Sequence, residues 1–126
     1  MQRVCAVTQP LAGGTSYGVG GLTTALWPFG VVVADSTYIR RDGSVKMKFP
    51  WWRDTPGGLQ ISGRRVDRRA PPLRVEIAAG YGLTGLQPTY LIFPTAGCWR
   101  VTARAGEARL AFTTLVVKVP HLRPRR

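Results

Sequence analysis

The sequence predicts an all-β fold, an antiparallel β-sandwich of seven to nine short strands. The chain contains 15 Gly and 10 Pro residues, which interrupt it so often that few stretches reach the length of a typical helix. Between these breaks, apolar residues recur at every second position, as they do in a half-buried strand. Parallel sheets need long crossover segments, and stretches of that kind are missing, so the strands are expected to pair antiparallel.

The clearest predicted unit is a hairpin near the C-terminus. Residues 98–104 form its first strand, residues 105–107 its turn, and residues 108–119 its second strand. Trp99, Val101 and Ala103 share one face of the first strand. The polar pair Thr113-Thr114 predicts a bulge or a switch between sheets. A helical interpretation of residues 107–119 is poorer, because β-branched residues lower helix propensity.

The remaining strands follow from the same alternation. They are expected at residues 22–26, 31–33, 37–39, 45–49, 59–63, 73–77 and 89–93. Strands of this number and spacing favour an immunoglobulin-like sandwich. We expect residues 1–119 to form one domain and residues 120–126 a basic, flexible tail, and the stretch at 9–21 to be a loose segment outside the core.

Positive charge dominates the composition. The sequence holds 18 Lys and Arg residues against 6 Asp and Glu residues, a formal net charge of +12 at pH 7. Such a field attracts polyanions and acidic proteins. A generally basic surface without a dedicated anion site explains the same numbers, and both interpretations remain open on composition alone.

Two cysteines, Cys5 and Cys98, stand almost a chain length apart, and Cys5 is expected in the first strand. They either form a disulfide or are two separate buried thiols. The disulfide is the favoured interpretation, and it implies an oxidising compartment. A structural metal site is not expected, because zinc needs about four Cys or His ligands and the single His121 lies in the predicted tail.

Catalysis and membrane insertion are not expected from this sequence. A nucleophile needs a neighbouring base, and paired carboxylates need a shared cleft, but the six acids fall mostly in turns beside basic residues. The Gly-rich segments lack the Lys-Ser/Thr ending of a phosphate loop, so no cofactor is expected. Apolar runs are shorter than the roughly 20 residues of a membrane-spanning helix, and the opening residues lack the apolar run of a secretory signal.

The strongest candidate binding surface combines Lys46, Lys48, Trp51, Trp52 and Arg53. Tryptophan offers a flat face for stacking, and neighbouring cations supply charge for phosphate or carboxylate groups. Adjacent strand residues point to opposite faces, so one Trp in the core and one on the surface is the simpler alternative. The cluster of Arg64, Arg65, Arg68 and Arg69 is interpreted as a solvated loop.

Seven segments together resemble an uncharacterised family of bacterial envelope or lipoprotein-type domains. They are Leu26-Trp27-Pro28, Asp42-Gly43-Ser44, Met47-Lys48-Phe49-Pro50-Trp51-Trp52-Arg53, Gly63-Arg64-Arg65, Ala70-Pro71-Pro72-Leu73, Gly80-Tyr81-Gly82 and Phe93-Pro94-Thr95-Ala96-Gly97-Cys98-Trp99. In that family a Cys near the start commonly accompanies the Gly-Cys-Trp element, so the resemblance supports pairing Cys5 with Cys98. Two positions depart from the family, since Phe29 and Arg100 stand where it tends to carry acids.

The last hairpin is also similar to the final strands of bacterial immunoglobulin-like repeats. The resemblance therefore implies an immunoglobulin-like fold and an extracytoplasmic setting, and it implies no particular activity.

The expected function is that of a non-catalytic extracytoplasmic binding or structural module. It would adhere or assemble through exposed edge strands or the Trp-rich stretch, with a protein partner or with copies of itself. The alternative is a polyanion-binding domain, for nucleic acid or acidic glycan, whose contacts are Lys46, Lys48, Trp51, Trp52 and Arg53.

Overall fold

The computed structural model describes residues 5–11, 14–18 and 20–119, and the predicted tail at 120–126, with His121, lies outside them. The described residues contain nine strands and no α-helix. The strands are β1 (Ser16–Tyr17), β2 (Leu22–Ala25), β3 (Val31–Ala34), β4 (Val45–Arg53), β5 (Leu59–Arg65), β6 (Arg74–Ile77), β7 (Gly85–Phe93), β8 (Gly97–Ala105) and β9 (Ala108–Lys118).

These strands form two packed sheets. One sheet has five strands in the order β1-β2-β4-β7-β6, and the other has four in the order β3-β9-β8-β5, counted over the described residues. The prediction of an all-β fold with two packed sheets is thereby confirmed. Antiparallel pairing holds for every neighbour except β3, which runs parallel to β9. This exception is possible because the five strands from β4 to β8 lie between β3 and β9 in the sequence, and this long segment serves as the crossover.

The hairpin of β8 and β9 confirms the clearest sequence prediction and corrects one detail. Trp99 and Val101 face the core as expected. The two strands pair without interruption from Ala105 opposite Ala108 to Gly97 opposite Val116, so no bulge occurs at Thr113-Thr114. The inward face of β9 simply includes a threonine: the Thr114 hydroxyl donates a hydrogen bond to the Gly30 carbonyl at 2.6 Å, which satisfies its polar group inside the protein.

Aromatic rings fill the space between the sheets. Phe49 of β4 stacks on Phe112 of β9 with 5.9 Å between ring centroids, and Trp51 lies 6.3 Å from the same ring. Phe93 meets Trp99 edge to face at 5.6 Å. All five side chains are at most 1% exposed. Offset and edge-to-face contacts of this kind add to the free energy gained by burying the rings.

Two local predictions were wrong. The stretch at 9–21 contains β1, and Tyr17 packs against the core, because the Leu26 N–H donates to the Thr15 carbonyl and holds this segment beside β2. Residues 37–39 form a turn with a single bridge from Ile39 to Val45 and no strand. Here the Thr37 N–H donates to the Asp35 carboxylate at 2.9 Å, a side-chain contact that favours a turn.

Cys5 and Cys98 form a disulfide, as expected. Their Cα atoms are 5.6 Å apart and 93 residues separate them in the sequence. Cys5 precedes β1 and lies outside any strand, which corrects its expected position. The segment is also anchored at Thr8, whose N–H donates to the Thr113 carbonyl at 2.8 Å. The bridge therefore ties the start of the described chain to the four-stranded sheet.

We expect the disulfide to contribute about 2–4 kcal/mol to the free energy of unfolding, because it closes a long loop in the unfolded chain. Urea unfolding of the wild type should shift to lower urea when reductant is added. Cys5→Ser should already unfold at this lower concentration and respond little to reductant. Equal unfolding curves for the oxidised and reduced wild type would contradict the expectation.

Candidate functional site

Strand β4 carries all five residues of the predicted binding surface, but its two-residue period divides them between two faces. Lys46, Lys48 and Trp52 point outward from the five-stranded sheet. Trp51 and Arg53 point inward, where they are 0% and 1% exposed. The alternative of one core Trp and one surface Trp is therefore correct, and Trp51 and Arg53 are not available to a ligand.

Trp51 is a core residue whose one polar group is satisfied internally. Its indole Nε1–H donates to the Thr89 hydroxyl at 2.9 Å, and that hydroxyl donates to the Phe49 carbonyl at 2.8 Å. Both hydrogen bonds are buried, and they join β4 to the neighbouring strand β7. A buried tryptophan normally needs such a partner, so these contacts explain its position without a ligand.

Arg53 organises a loop from inside the protein. Its guanidinium donates hydrogen bonds from Nε, Nη1 and Nη2 to backbone carbonyls only. The acceptors are the carbonyls of Gly57, Tyr81, Gly82, Thr84 and Gly85, at 2.9–3.3 Å. A guanidinium has five N–H groups, so each one has a partner. This fixes the loop between β6 and β7, and Tyr81 and Leu83 of that loop remain 44% and 61% exposed.

Arg53→Met should lower the free energy of unfolding by about 2–4 kcal/mol, because the loop carbonyls lose their donors and a packed side chain changes shape. Arg40→Met is the matched control: Arg40 is exposed, and its replacement should change stability by less than about 0.5 kcal/mol. Chemical denaturation of both variants measures the difference. Equal effects would show that Arg53 has no special structural role.

The outer side of the five-stranded sheet presents apolar side chains from β4 and β7. Trp52 lies opposite Leu86, and Pro50 lies opposite Pro88. Trp52, Leu86 and Tyr90 are 42–43% exposed. We call Pro50, Trp52, Leu86, Pro88 and Tyr90 the aromatic face. A contiguous apolar surface on a folded domain is a common feature of interaction sites.

Cations border the aromatic face at one end. Lys48 lies opposite Tyr90 across the strand pair. The Lys46 ammonium is 4.6 Å from the centroid of the Tyr90 ring and 2.9 Å from the Glu76 carboxylate. A shallow depression in the same region is lined by Thr37, Tyr38, Arg40, Lys46, Lys48 and Tyr90. The charge of Lys46 is therefore partly compensated, whereas Lys48 and Arg40 have no ion pair within the described residues.

The pKa of Glu76 is lowered from its ordinary value of 4.5. The largest cause is the hydrogen bond from Lys46. Desolvation, the next in size, opposes the lowering, and the nearby charges of Lys46, Arg40 and Arg74 each add to the lowering by less. The carboxylate is thus ionised at neutral pH. Its contribution to stability is present above the pKa of the unfolded chain and is lost as the pH falls through the lowered value in the folded state.

Lys46→Met should raise the pKa of Glu76 toward its ordinary value, because the hydrogen bond that lowers it is removed. An NMR titration that follows the carboxyl carbon of the Glu76 side chain in the wild type and in this variant measures the change. Lys48→Met removes a cation of the same strand that has no contact with Glu76, and it should leave the titration nearly unchanged. Indistinguishable curves for the two variants would refute the assignment.

The surface beside β4 departs from the sequence prediction in its membership. Tyr90, Leu86 and Glu76 complete the surface beside β4, but they belong to other strands and nothing local pointed to their register. Arg53 was misassigned although a signal existed: it is in phase with Met47, Phe49 and Trp51, the inward positions of the same strand. The predicted basic loop is also different, since Arg64 and Arg65 belong to β5 and Arg65 pairs with Asp67 at 2.7 Å.

Two kinds of feature are missing from the described residues. Among them, no group of three or more His, Cys, Asp or Glu side chains is placed to hold a metal ion. No helix in the described part of the chain has the length and apolar character needed to cross a membrane. The arrangement can present apolar rings, cations and hydrogen-bond donors to a partner.

Comparison with protein-family models, with curated proteins and with solved structures found no match to this chain.

Proposed function

We propose that this chain is an immunoglobulin-like sandwich that acts outside the cytoplasm as a non-catalytic binding module, and that it docks a protein partner through the aromatic face. The strand order supports the fold. β2-β4-β7-β6 opposite β9-β8-β5 corresponds to the ABED and GFC sheets of immunoglobulin domains. The disulfide differs in position from the inter-sheet disulfide of antibody domains. Cys98 is the neighbour of the core residue Trp99 on β8, and it bridges to a segment before β1.

The extracytoplasmic setting is supported by the Cys5–Cys98 disulfide. Disulfides persist in oxidising compartments and are rare where thiols are kept reduced. The resemblance to bacterial envelope or lipoprotein-type domains favours the same setting. The disulfide and the resemblance both concern where the protein is located. The kind of partner is inferred from the exposed surface.

The observation that carries the binding proposal is the exposure of Trp52, Leu86 and Tyr90 on adjacent strands of one sheet. Tyr and Trp are enriched among residues that dominate binding energy at protein interfaces. The border of Arg40, Lys46 and Lys48 favours a partner with acidic residues around an apolar contact. A second copy of this chain is a poorer fit, because each copy has a formal net charge of +12.

A polyanion bound at the predicted set of Lys46, Lys48, Trp51, Trp52 and Arg53 has less support. Trp51 and Arg53 are buried, and Lys46 is paired with Glu76. Lys48 and Trp52 are the members of that set that remain exposed without an ion pair within the described residues. A protein contact therefore explains the aromatic face better than a polyanion does.

Trp52→Ser should weaken binding of the partner about tenfold or more, because a central aromatic anchor commonly contributes about 2 kcal/mol. The partner would first be captured from an envelope fraction of the source cells, and its dissociation constant would then be measured with purified proteins. Val33→Ser is the matched control, since Val33 is 44% exposed on the other sheet. Its dissociation constant should stay within about twofold of the wild type.

Two outcomes would overturn this assignment. Wild-type affinity in Trp52→Ser would remove the aromatic face from the interface. Dimerisation of the wild type in sedimentation experiments that is lost in Trp52→Ser would assign the face to a second copy of the chain.

A further inference from the structure

A second surface, on the outer side of the four-stranded sheet, carries four arginines. β5 contributes Arg64, β8 contributes Arg100 and Arg104, and β9 contributes Arg109, all of them exposed. Alternation places them on the side away from the core, because Val101, Ala103 and Leu110 point inward. We call these four residues the arginine face. It lies on a different sheet from the aromatic face and does not depend on the function proposed above.

The pairing of the strands brings like charges together on this face. Arg64 lies directly opposite Arg100, and Arg104 lies directly opposite Arg109. Like charges in directly opposite positions destabilise a sheet. The ion pairs of the described residues are Lys46–Glu76, Arg65–Asp67 and Arg74–Asp42, and none of them includes a member of the arginine face. The repulsion is therefore not relieved by an acid from the described part of the chain.

Neutral groups hold two of these arginines in place. Arg104 Nε donates to the Gln60 side-chain oxygen at 2.8 Å, and Arg100 Nη1 donates to the Thr113 hydroxyl at 3.0 Å. Such partners orient a guanidinium without neutralising its charge. The arginines thus keep most of their N–H groups for a ligand in a partly ordered geometry, which lowers the entropy cost of binding.

A depression lies beside the Arg104–Arg109 pair. It has a volume of about 340 Å³ and is lined by Gln60, Ile61, Ser62, Thr102, Ala103, Arg104 and Arg109. Ser62 lies opposite Thr102, so two hydroxyl groups accompany the cations there. Arg100 and Arg104 are four residues apart on one strand, which separates their Cα atoms by roughly 14 Å. The face therefore offers repeated cationic positions along a line.

We propose that the arginine face binds a linear phosphate polymer whose backbone carries no stacking bases. The planar guanidinium matches the geometry of phosphate with two parallel hydrogen bonds, and Ser and Thr hydroxyls are common phosphate contacts. Single-stranded nucleic acid is a poorer fit, because its binding relies on aromatic rings for stacking. The described outward residues of β5 and β8 and the adjoining Arg109 and Ala111 include no aromatic side chain.

The test uses long-chain inorganic polyphosphate as the probe. The double variant Arg100→Gln with Arg104→Gln should raise the dissociation constant about tenfold or more and flatten its dependence on salt, because fewer counterions are released on binding. The matched control, Arg41→Gln with Arg69→Gln, removes the same charge from exposed positions outside the face. It should change the dissociation constant by less than about threefold if binding is local, since distant exposed charges are screened.

Thermal unfolding separates a ligand-binding role from a structural one. The face variant should melt at the same temperature as the wild type or slightly higher, because it removes like-charge repulsion. A lower melting temperature would show that the arginines stabilise the fold, and it would overturn the proposal. Equal losses of affinity in the face and control variants would also overturn it, since binding would then follow net charge alone.

Two other polyanions, compared with polyphosphate, test which class of polymer binds the arginine face. Polyphosphate should bind more tightly than heparin and than an oligothymidylate at the same concentration of negative charge. Tighter binding of heparin would assign the face to sulfated polysaccharide, and tighter binding of the oligothymidylate would assign it to single-stranded nucleic acid. Either result would refute the proposed ligand.

Discussion

Burial of Trp51 between the two sheets determines which side chains the domain shows to solvent. Its ring packs against Phe112, and its indole N–H is satisfied by Thr89. A slip of one residue in β4 would exchange Trp51 for Trp52 in the core and bring Lys46 and Lys48 inward. Unpaired lysines inside an apolar core are very costly, so the core sets the register of β4. The outward position of Trp52 follows from that register.

The buried Arg53 shows how the domain uses a charge without an ion pair. A guanidinium surrounded by carbonyl oxygens has favourable electrostatics with the peptide dipoles, and each N–H group is used. Four of the five carbonyls come from two loops at one end of the sandwich, and the fifth belongs to Gly85, the first residue of β7. Positive φ angles at Gly80, Gly82 and Gly85 let the chain turn its carbonyl groups toward this side chain. The end of the sandwich is thus ordered by one residue of β4.

The two outer faces of the sandwich have different electrostatics. In the five-stranded sheet Glu76 lies close to Lys46, and Asp42 of the turn before β4 lies close to Arg74. On the outer side of the four-stranded sheet arginine lies opposite arginine, and none of these four arginines takes part in an ion pair with an acid of the described residues. Formal net charge alone does not reveal this difference, because it sums over both faces. The distribution of charged and apolar residues over the strands makes one face amphipathic and the other strongly basic.

The sequence by itself determined the all-β class and the C-terminal hairpin. It favoured the Cys5–Cys98 disulfide over two separate thiols, and it offered the division of Trp51 and Trp52 between two faces as the simpler alternative to a shared binding surface. These follow from local properties: the two-residue period, the positions of Gly and Pro, and the number of cysteines. The alternation of residues in β4 also predicts that Arg53 points inward, but a charged side chain is rarely expected in a core.

Only the tertiary structure decided which strands lie side by side. Tyr90 and Leu86 lie beside β4, and Arg64 lies beside Arg100, because backbone hydrogen bonds join segments that are far apart in the chain. The alternation of apolar and polar residues predicts which residues of one strand share a face. It carries no information about the neighbouring strand or its register, since those depend on how all the apolar faces close over one core.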